Sequence, residues 1–225
     1  MTRATKAVLL DALGTLVELR PPAPRLRAAL ERRVGIDVGS EAAERGFGAE
    51  IAHYLANHMR GSDRDGLEEL RDECAEEMRK AIGREGLDRA TVRAAMLEAL
   101  EFEAFPDVVP ALRDLRARGL RLVVVSNWDC SLPEWLGRAG LGELLDGTVS
   151  SAVVGVAKPA TAVFEAGLEL AGCDADHAVH VGDSIDNDIV GARAAGLRAI
   201  LVQRRGDPPA GVEAVRSLGA LSAIV

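Results

Sequence analysis

Residues 6–16 read KAVLLDALGTL, a short apolar run that ends at a carboxylate, Asp11, and continues into a turn with a glycine. An uninterrupted run of this kind is typical of a strand covered on both faces of a parallel sheet. Similar runs recur at 120–125, 178–181 and 197–202, and helical stretches closed by glycine occupy 108–118, 161–171 and 185–195. This alternation predicts an α/β fold with a doubly wound parallel (Rossmann-like) sheet.

The alternation stops between residues 21 and 103, where long amphipathic helical patterns replace it and no strand is evident. Prolines mark both junctions, in PPAP at 21–24 and in FPD at 105–107. We therefore expect two domains, a Rossmann-like catalytic core at 1–20 and 104–225 and an inserted all-helical cap at 21–103. An insert at this place could act as a lid that excludes water.

The charge balance of the 225-residue chain argues against nucleic acid as a partner, because 27 basic and 35 acidic residues give a net charge of -8. The cysteines, Cys74, Cys130 and Cys173, are odd in number and far apart. They predict neither a disulfide framework nor a zinc site, and they favour the cytoplasm. The first apolar run is too short for a signal peptide or a membrane span, so no membrane partner is expected. Oligomeric state stays open.

Asp11 is the first candidate catalytic residue, because its carboxylate ends a buried strand. Such a carboxylate can act as a nucleophile and form a covalent intermediate. A strand-end Asp that caps the next turn has the same local pattern. Gly14 and Thr15 follow in a tight turn, which predicts backbone N–H groups and a hydroxyl near the bound substrate.

Three more candidates follow later strands or their connections. Ser126 and Asn127 end the run 122–125, where a hydroxyl and a backbone amide can bind a nonreacting phosphoryl oxygen. Ser-Asn is also a common loop dipeptide. Lys158 is one of three lysines, and its ammonium would pair with Asp11 and neutralise charge on a transferring group. The alternative is an exposed loop lysine.

Residues 182–188, GDSIDND, gather several carboxylates at the start of a helix that follows the strand at 178–181. Helix capping explains one of these side chains but not three acids. Crowded carboxylates require a cation, and together with Asp11 they predict a hard oxygen site that suits Mg²⁺.

These four segments, in this order, resemble the motifs of the haloacid dehalogenase-like (HAD) hydrolase superfamily, with the cap inserted just after the first motif. The resemblance covers essentially the whole chain, and the ordered set is far more specific than any one motif. The stretches VSNWD at 125–129 and HVGDS at 180–184 most closely resemble the branch grouped with haloacid dehalogenase-like domain-containing protein 3.

The resemblance implies a role for each matching residue. Asp11 matches the nucleophile, Ser126 the phosphate-binding hydroxyl and Lys158 the charge-neutralising lysine. Asp183 matches a direct Mg²⁺ ligand, and Asp188 lies beside the metal or holds its water. The backbone carbonyl of Leu13 matches a further metal ligand.

Leu13 departs from the family pattern, because family phosphatases carry at this place a carboxylate that protonates the leaving oxygen and later activates water. Losing one positioned acid or base typically slows a reaction by a factor on the order of 10² to 10⁴. Asp129 or a cap residue could substitute. We expect a slow magnesium-dependent phosphatase that acts on a small phosphorylated metabolite, or another small anion, through an aspartyl phosphate on Asp11.

Two other functions stay open. A 2-haloacid dehalogenase releases halide without a proton, and the family's dehalogenases also lack Asp at the place of Leu13. Against it, the acidic segment resembles the metal-binding phosphatase version, and Phe164 stands where dehalogenases usually carry Tyr. A phosphate-binding or regulatory protein without turnover would also suit Leu13, but a nucleophile opposite a lysine argues against it.

Overall fold

The computed structural model describes residues 4–225, and these form two compact units. The core unit consists of the described residues up to Glu18 together with Glu103–Val225, and the helical unit is Leu19–Phe102. Across the described residues, no helix has both the length and the apolar character that a membrane crossing requires.

The described residues form eight strands and nine α-helices. The strands are β1 (Ala7–Leu10), β2 (Val17–Leu19), β3 (Phe102–Ala104), β4 (Arg121–Ser126), β5 (Gly147–Ser150), β6 (Ala178–Gly182), β7 (Arg198–Val202) and β8 (Ala214–Val215). The α-helices are α1 (Pro22–Val34), α2 (Ser40–Asn57), α3 (Arg64–Ile82), α4 (Arg89–Ala99), α5 (Val108–Ala117), α6 (Leu132–Arg138), α7 (Ser151–Val154), α8 (Thr161–Ala171) and α9 (Gly191–Ala194).

Six strands of the core unit form one sheet in the order β5-β4-β1-β6-β7-β8, with every neighbouring pair parallel. The four residues of β1 are completely buried, which explains why its sequence is apolar throughout rather than alternating. Since β1 lies between β4 and β6, the strand order reverses there, and such a reversal creates a crevice at the carboxyl ends of the strands. The predicted α/β doubly wound parallel sheet is confirmed.

The helices of the core unit pack on this sheet through apolar side chains. On α8, Phe164 is fully buried in a cluster with Leu9 and Val125. Gly167 lets the helix approach closely, because a Cβ at this position would lie 2.6 Å from a methyl group of Val125. The predicted helix at 161–171 is confirmed with both its ends.

The helix expected at 185–195 differs from the prediction. Ile185–Val190 is a π-helix, and α-helical geometry begins only with α9. The wider turn brings Asp188 back toward the strand it follows, since its carboxylate accepts a hydrogen bond from Ser184 N–H at 3.0 Å. Local sequence does not distinguish a π-turn from an α-helix, whereas π-bulges are common at functional sites.

The helical unit consists of α1 to α4 around an apolar core of its own, which includes Leu30, Leu70, Met78 and Met96. Asp63 begins α3 by accepting a hydrogen bond from Gly66 N–H at 2.9 Å, so the helix has a side-chain N-cap. The long helical patterns of residues 21–103 therefore belong to real helices.

The expectation that residues 21–103 contain no strand is wrong at their end. Strand β3 begins at Phe102 and pairs with β2 in a separate two-stranded sheet. A backbone bond from Arg20 N–H to the carbonyl oxygen of Glu101, 2.9 Å long, continues this pairing. Three-residue strands stabilised by a distant partner leave no periodic pattern to detect.

Glu50 is a carboxyl group buried inside the helical unit, with 6% of its surface exposed. Burial raises the pKa of Glu50 to about 7, while a hydrogen bond with Cys74 opposes this rise. A group that is neutral in the folded chain and ionises readily in the unfolded chain makes stability depend on pH.

We expect the free energy of unfolding to fall as the pH rises from about 4.5, the ordinary pKa of Glu, to about 7, where Glu50 ionises in the folded chain. The loss is about 3 kcal/mol, at 1.36 kcal/mol for each pKa unit, and it is complete above that window. Glu50→Gln should remove this loss, so the variant becomes more stable than the parent at pH 8.

Urea unfolding at several pH values measures this difference. The matched control is Glu41→Gln on the exposed side of the same helix, which should follow the parent. The expectation is wrong if Glu50→Gln and the parent lose the same stability between pH 5 and pH 8.

Candidate active site

The carboxyl ends of the three central strands bring the site residues together. Leu10 of β1 pairs in register with Val124 of β4 and with Val181 of β6. The residues that follow, Asp11 and Ser126, therefore lie at one edge of the sheet with the segment after β6. The order of the strands in the sheet explains why residues more than a hundred positions apart meet here.

Asp11 is a buried carboxylate with two hydrogen-bond donors on one of its oxygens. Ser126 Oγ donates to Asp11 Oδ1 at 2.9 Å, and Lys158 Nζ donates to the same atom at 2.5 Å. Burial raises the pKa of Asp11, the charge of Lys158 opposes this effect, and the charge of Asp188 adds to it. Neither bond occupies the second carboxylate oxygen.

Lys158 links two carboxylates through one buried ammonium group, which is 4% exposed as a residue. Besides the bond to Asp11, Nζ donates to Asp188 Oδ1 at 2.6 Å. Burial alone would lower the pKa of Lys158, but the charges of Asp11 and Asp188 raise it above its ordinary value. The ammonium is thus a fixed positive charge beside the candidate nucleophile.

Asn127 holds the backbone of Lys158 rather than pointing freely into the crevice. Its side-chain oxygen accepts from Lys158 N–H at 2.7 Å, and its side-chain nitrogen donates to the Lys158 carbonyl at 3.1 Å. The sequence predicted Asn127 as a substrate-binding residue through its backbone amide. The structure adds a positioning contact that this prediction did not include.

Asp188 is fully engaged by the protein. Lys158 Nζ and His180 Nε2 both contact its Oδ1, the latter at 2.9 Å, and Ser184 N–H contacts its Oδ2. Burial alone would raise the pKa of Asp188, but the hydrogen bond with His180 and the charge of Lys158 hold it below its usual range. Gly182 makes room for this carboxylate, because a Cβ there would lie 2.2 Å from Asp188 Cγ.

Asp183 is the most exposed of the three carboxylates at this edge. Partial removal from water raises the pKa of Asp183 to about 6, and the negative charges of Asp11 and Asp188 contribute to the rise. Gly14, with φ of 82°, packs against it, because a Cβ on Gly14 would lie 2.0 Å from Asp183 Oδ2. The turn after β1 therefore fixes where this side chain can lie.

The three carboxylates fit a hard divalent cation. Asp11, Asp183 and Asp188 each offer one oxygen, and these atoms all lie within 4.8 Å of one another. Repulsion between close carboxylates is relieved when a cation binds, and Mg²⁺ takes oxygen ligands. The hydrogen bonds on Asp188 favour Asp11 and Asp183 as direct ligands and a supporting role for Asp188.

Gly14 and Thr15 are used differently from the prediction that they bind substrate. Gly14 N–H donates to the Val17 carbonyl at 2.8 Å, and Thr15 N–H donates to the Ala12 carbonyl at 3.3 Å. The Thr15 hydroxyl is completely buried and has no hydrogen-bond partner. Both residues therefore shape the turn, and their N–H groups are already occupied.

Arg204 stabilises this turn from a distant part of the chain, and sequence reasoning missed it. Its guanidinium donates to the Thr15 carbonyl at 2.7 Å and to Asp107 Oδ1 at 2.9 Å. It also lies 3.7 Å above the centre of the Phe105 ring. Arginine is common in this chain, so composition alone could not single out this residue.

His180 was also missed as a functional residue, because the sequence places it inside an apolar strand. It is completely buried, lies against Asp188, and packs edge-on against Phe164 with ring centres 5.0 Å apart. The only available signal was one polar residue within an otherwise apolar run.

A model of the family described as haloacid dehalogenase-like hydrolase matches residues 5–196. The chain therefore belongs to the haloacid dehalogenase-like hydrolase family, and the predicted membership is confirmed.

Named relatives support the same family. Human haloacid dehalogenase-like hydrolase domain-containing protein 3 is 30% identical over 203 residues, which cover 85% of this chain and 79% of the relative. The expected similarity to this branch is confirmed. Glyceraldehyde 3-phosphate phosphatase of Methanopyrus kandleri is 30% identical over 206 residues, covering 88% of this chain and 84% of the relative.

Solved structures share the fold. A HAD phosphatase from Thermococcus onnurineus is 25% identical with a TM-score of 0.66, covering 98% of this chain and 97% of its own. A 2-haloacid dehalogenase from Pseudomonas syringae is 24% identical with a TM-score of 0.67, covering 97% of both chains. The fold alone therefore does not separate phosphatase from dehalogenase.

Gly14→Ala should weaken Mg²⁺ binding, because the added methyl group displaces the Asp183 carboxylate. Disturbing a group that orients a metal ligand typically costs about 10-fold to 100-fold in affinity. Gly119→Ala is the matched control, since its φ is 80° and a Cβ there would meet no atom within 4 Å. Each variant should lose about 1–2 kcal/mol of stability from its left-handed backbone.

Titration calorimetry with Mg²⁺ and urea unfolding of both variants make the comparison. Equal Mg²⁺ affinity for the two variants would contradict the expectation that a methyl group at position 14 displaces Asp183 from a bound metal ion.

Proposed function

We propose that the chain is a magnesium-dependent phosphatase that acts on a small phosphorylated metabolite through an aspartyl phosphate on Asp11. The observation that carries the proposal is the contact set of Asp11, whose Oδ1 accepts from both Lys158 Nζ and Ser126 Oγ. A cytoplasmic location and a small anionic substrate belong to the same proposal.

The residues of the site have distinct roles in this proposal. The carboxylate of Asp11 attacks phosphorus and forms the covalent intermediate. Lys158 and Ser126 both donate hydrogen bonds to the Asp11 carboxylate. Their ammonium and hydroxyl groups can there stabilise the phosphoryl oxygens as charge moves during transfer. Bound Mg²⁺, held by Asp11 and Asp183, would neutralise phosphoryl charge and orient the substrate.

The named relatives support phosphate chemistry at a coarse level. The Methanopyrus kandleri relative is named a glyceraldehyde 3-phosphate phosphatase, and its similarity extends over most of both chains. The cluster of three carboxylates, which includes Asp188, also favours a phosphatase. Such a cluster suits a divalent cation that would neutralise phosphoryl charge, whereas carbon–halogen displacement needs no cation.

A second candidate is a 2-haloacid dehalogenase, and Leu13 is the observation that favours it. Halide leaves carbon without a proton, so a dehalogenase has no use for an acid at this position. Phe164 argues against a dehalogenase, because dehalogenases of the family usually carry Tyr at this position. The Phe164 ring is completely buried in the core beside His180 and offers no hydroxyl.

Hydrolysis of an activated aryl phosphate separates the two candidates. We expect phosphate release that stops when Mg²⁺ is chelated and falls by a factor on the order of 10² or more in Asp11→Asn, because the nucleophile is removed. Incubation with 2-chloropropionate should release no chloride.

Asp186→Asn is the matched control, because Asp186 is exposed on the same acidic segment and outside the cluster of three carboxylates. It should keep the parent's aryl phosphatase rate. Metal-independent chloride release would favour the dehalogenase, and the absence of both activities would favour a binding or regulatory protein.

A further inference from the structure

The groups around Asp11 can bind and neutralise a phosphoryl group, but Leu13, two residues after Asp11, carries no proton-transferring side chain. Leu13 is 46% exposed, so its hydrocarbon side chain faces outward from the turn rather than filling the core. A carboxylate in the same place would be open to substrate and water. The lack of a proton-transferring side chain at position 13 is therefore a specific property of this chain.

Three groups that could otherwise transfer a proton, Lys158, His180 and Asp129, are already engaged by other residues. Lys158 donates to two carboxylates, and an ammonium has no lone pair with which to accept a proton. His180 is completely buried behind Asp188. Asp129, a possible substitute acid, is 3% exposed and accepts from Ser131 N–H at 2.7 Å and from Ser131 Oγ at 2.5 Å.

Phosphoryl transfer to Asp11 needs a proton only when the leaving group is basic. The carboxylate oxygen of Asp11 forms a bond to phosphorus, and the bond from phosphorus to the leaving oxygen breaks with its electron pair. An alcohol leaves as an unstable alkoxide unless an acid protonates it. The carboxylate of an acyl phosphate, or a phenolate, leaves as a stable anion and requires no proton.

Hydrolysis of the aspartyl phosphate requires a base rather than an acid. Water attacks phosphorus, the bond from phosphorus to the Asp11 oxygen breaks, and the water must give up a proton to a base. Without a base this second step loses the factor on the order of 10² to 10⁴ that a positioned acid or base typically supplies.

We infer that Asp11 accepts phosphoryl groups from acyl phosphates and similarly activated donors and retains them as a long-lived aspartyl phosphate. The inference rests on the proposed function and adds the donor class and the slow step. It differs from what the name of the Methanopyrus kandleri relative describes, since glyceraldehyde 3-phosphate is an alkyl phosphate ester.

Intact-mass spectrometry of the full chain tests the inference. The protein is incubated with Mg²⁺ and acetyl phosphate, the donor is removed, and the mass of one added phosphoryl group is followed over time. We expect a near-stoichiometric adduct in the parent that persists after donor removal and is absent in Asp11→Asn. Glycerol 1-phosphate should give no adduct.

Two variants of one exposed position identify the cause of persistence. Leu13→Asp introduces a proton carrier and should shorten the adduct lifetime by roughly tenfold or more, with matching release of orthophosphate. Leu13→Asn has the same shape but cannot transfer a proton. Circular dichroism and urea unfolding establish that both variants are folded.

The possible failures are distinguishable. Steady, Asp11-dependent phosphate release without an adduct overturns the inference and leaves the proposed phosphatase intact. Equal shortening by Leu13→Asn and Leu13→Asp also overturns it, since proton transfer would not be the cause. The absence of both an adduct and phosphate release, with acetyl phosphate and with the aryl phosphate, would overturn the proposed function itself.

Discussion

The buried bridge that Lys158 forms between Asp11 and Asp188 is the constraint on which the site depends. Removing charged groups from water costs several kcal/mol for each ion, and only close pairing offsets that cost. One ammonium at 2.5 Å and 2.6 Å from two carboxylates meets this requirement. Asn127 fixes the lysine backbone and His180 supports Asp188, so the positions of the charges are set by the folded chain itself.

In the proposed phosphatase, this arrangement separates two parts of catalysis that enzymes usually combine. The groups for electrostatic stabilisation are present, because the Lys158 ammonium and the Ser126 hydroxyl both bond one oxygen of Asp11, the candidate nucleophile. Leu13 supplies no proton-transferring group at the position where the family pattern leads one to expect an acid. The reaction that such a site favours is governed by the leaving group more than by the shape of the substrate.

Much of the fold and part of the site could be predicted from the sequence. Parallel strands buried on both faces produce unbroken apolar runs, and the residues that end them must meet at one edge, which is how Asp11 and Ser126 were found. The roles of His180 and Arg204 could not be predicted, because they depend on tertiary contacts. Arg204 bonds the carbonyl of a residue 189 positions away, and no local pattern encodes that partner.

Arg204 also has a consequence for how the molecule can be shortened. The family match ends at residue 196, yet the guanidinium that holds the turn after β1 comes from beyond that boundary. A recombinant fragment cut at the homology limit would keep every motif of the family and lose the arginine that braces the first of them. The motifs of the family thus lie within a shorter segment of this protein than its architecture requires.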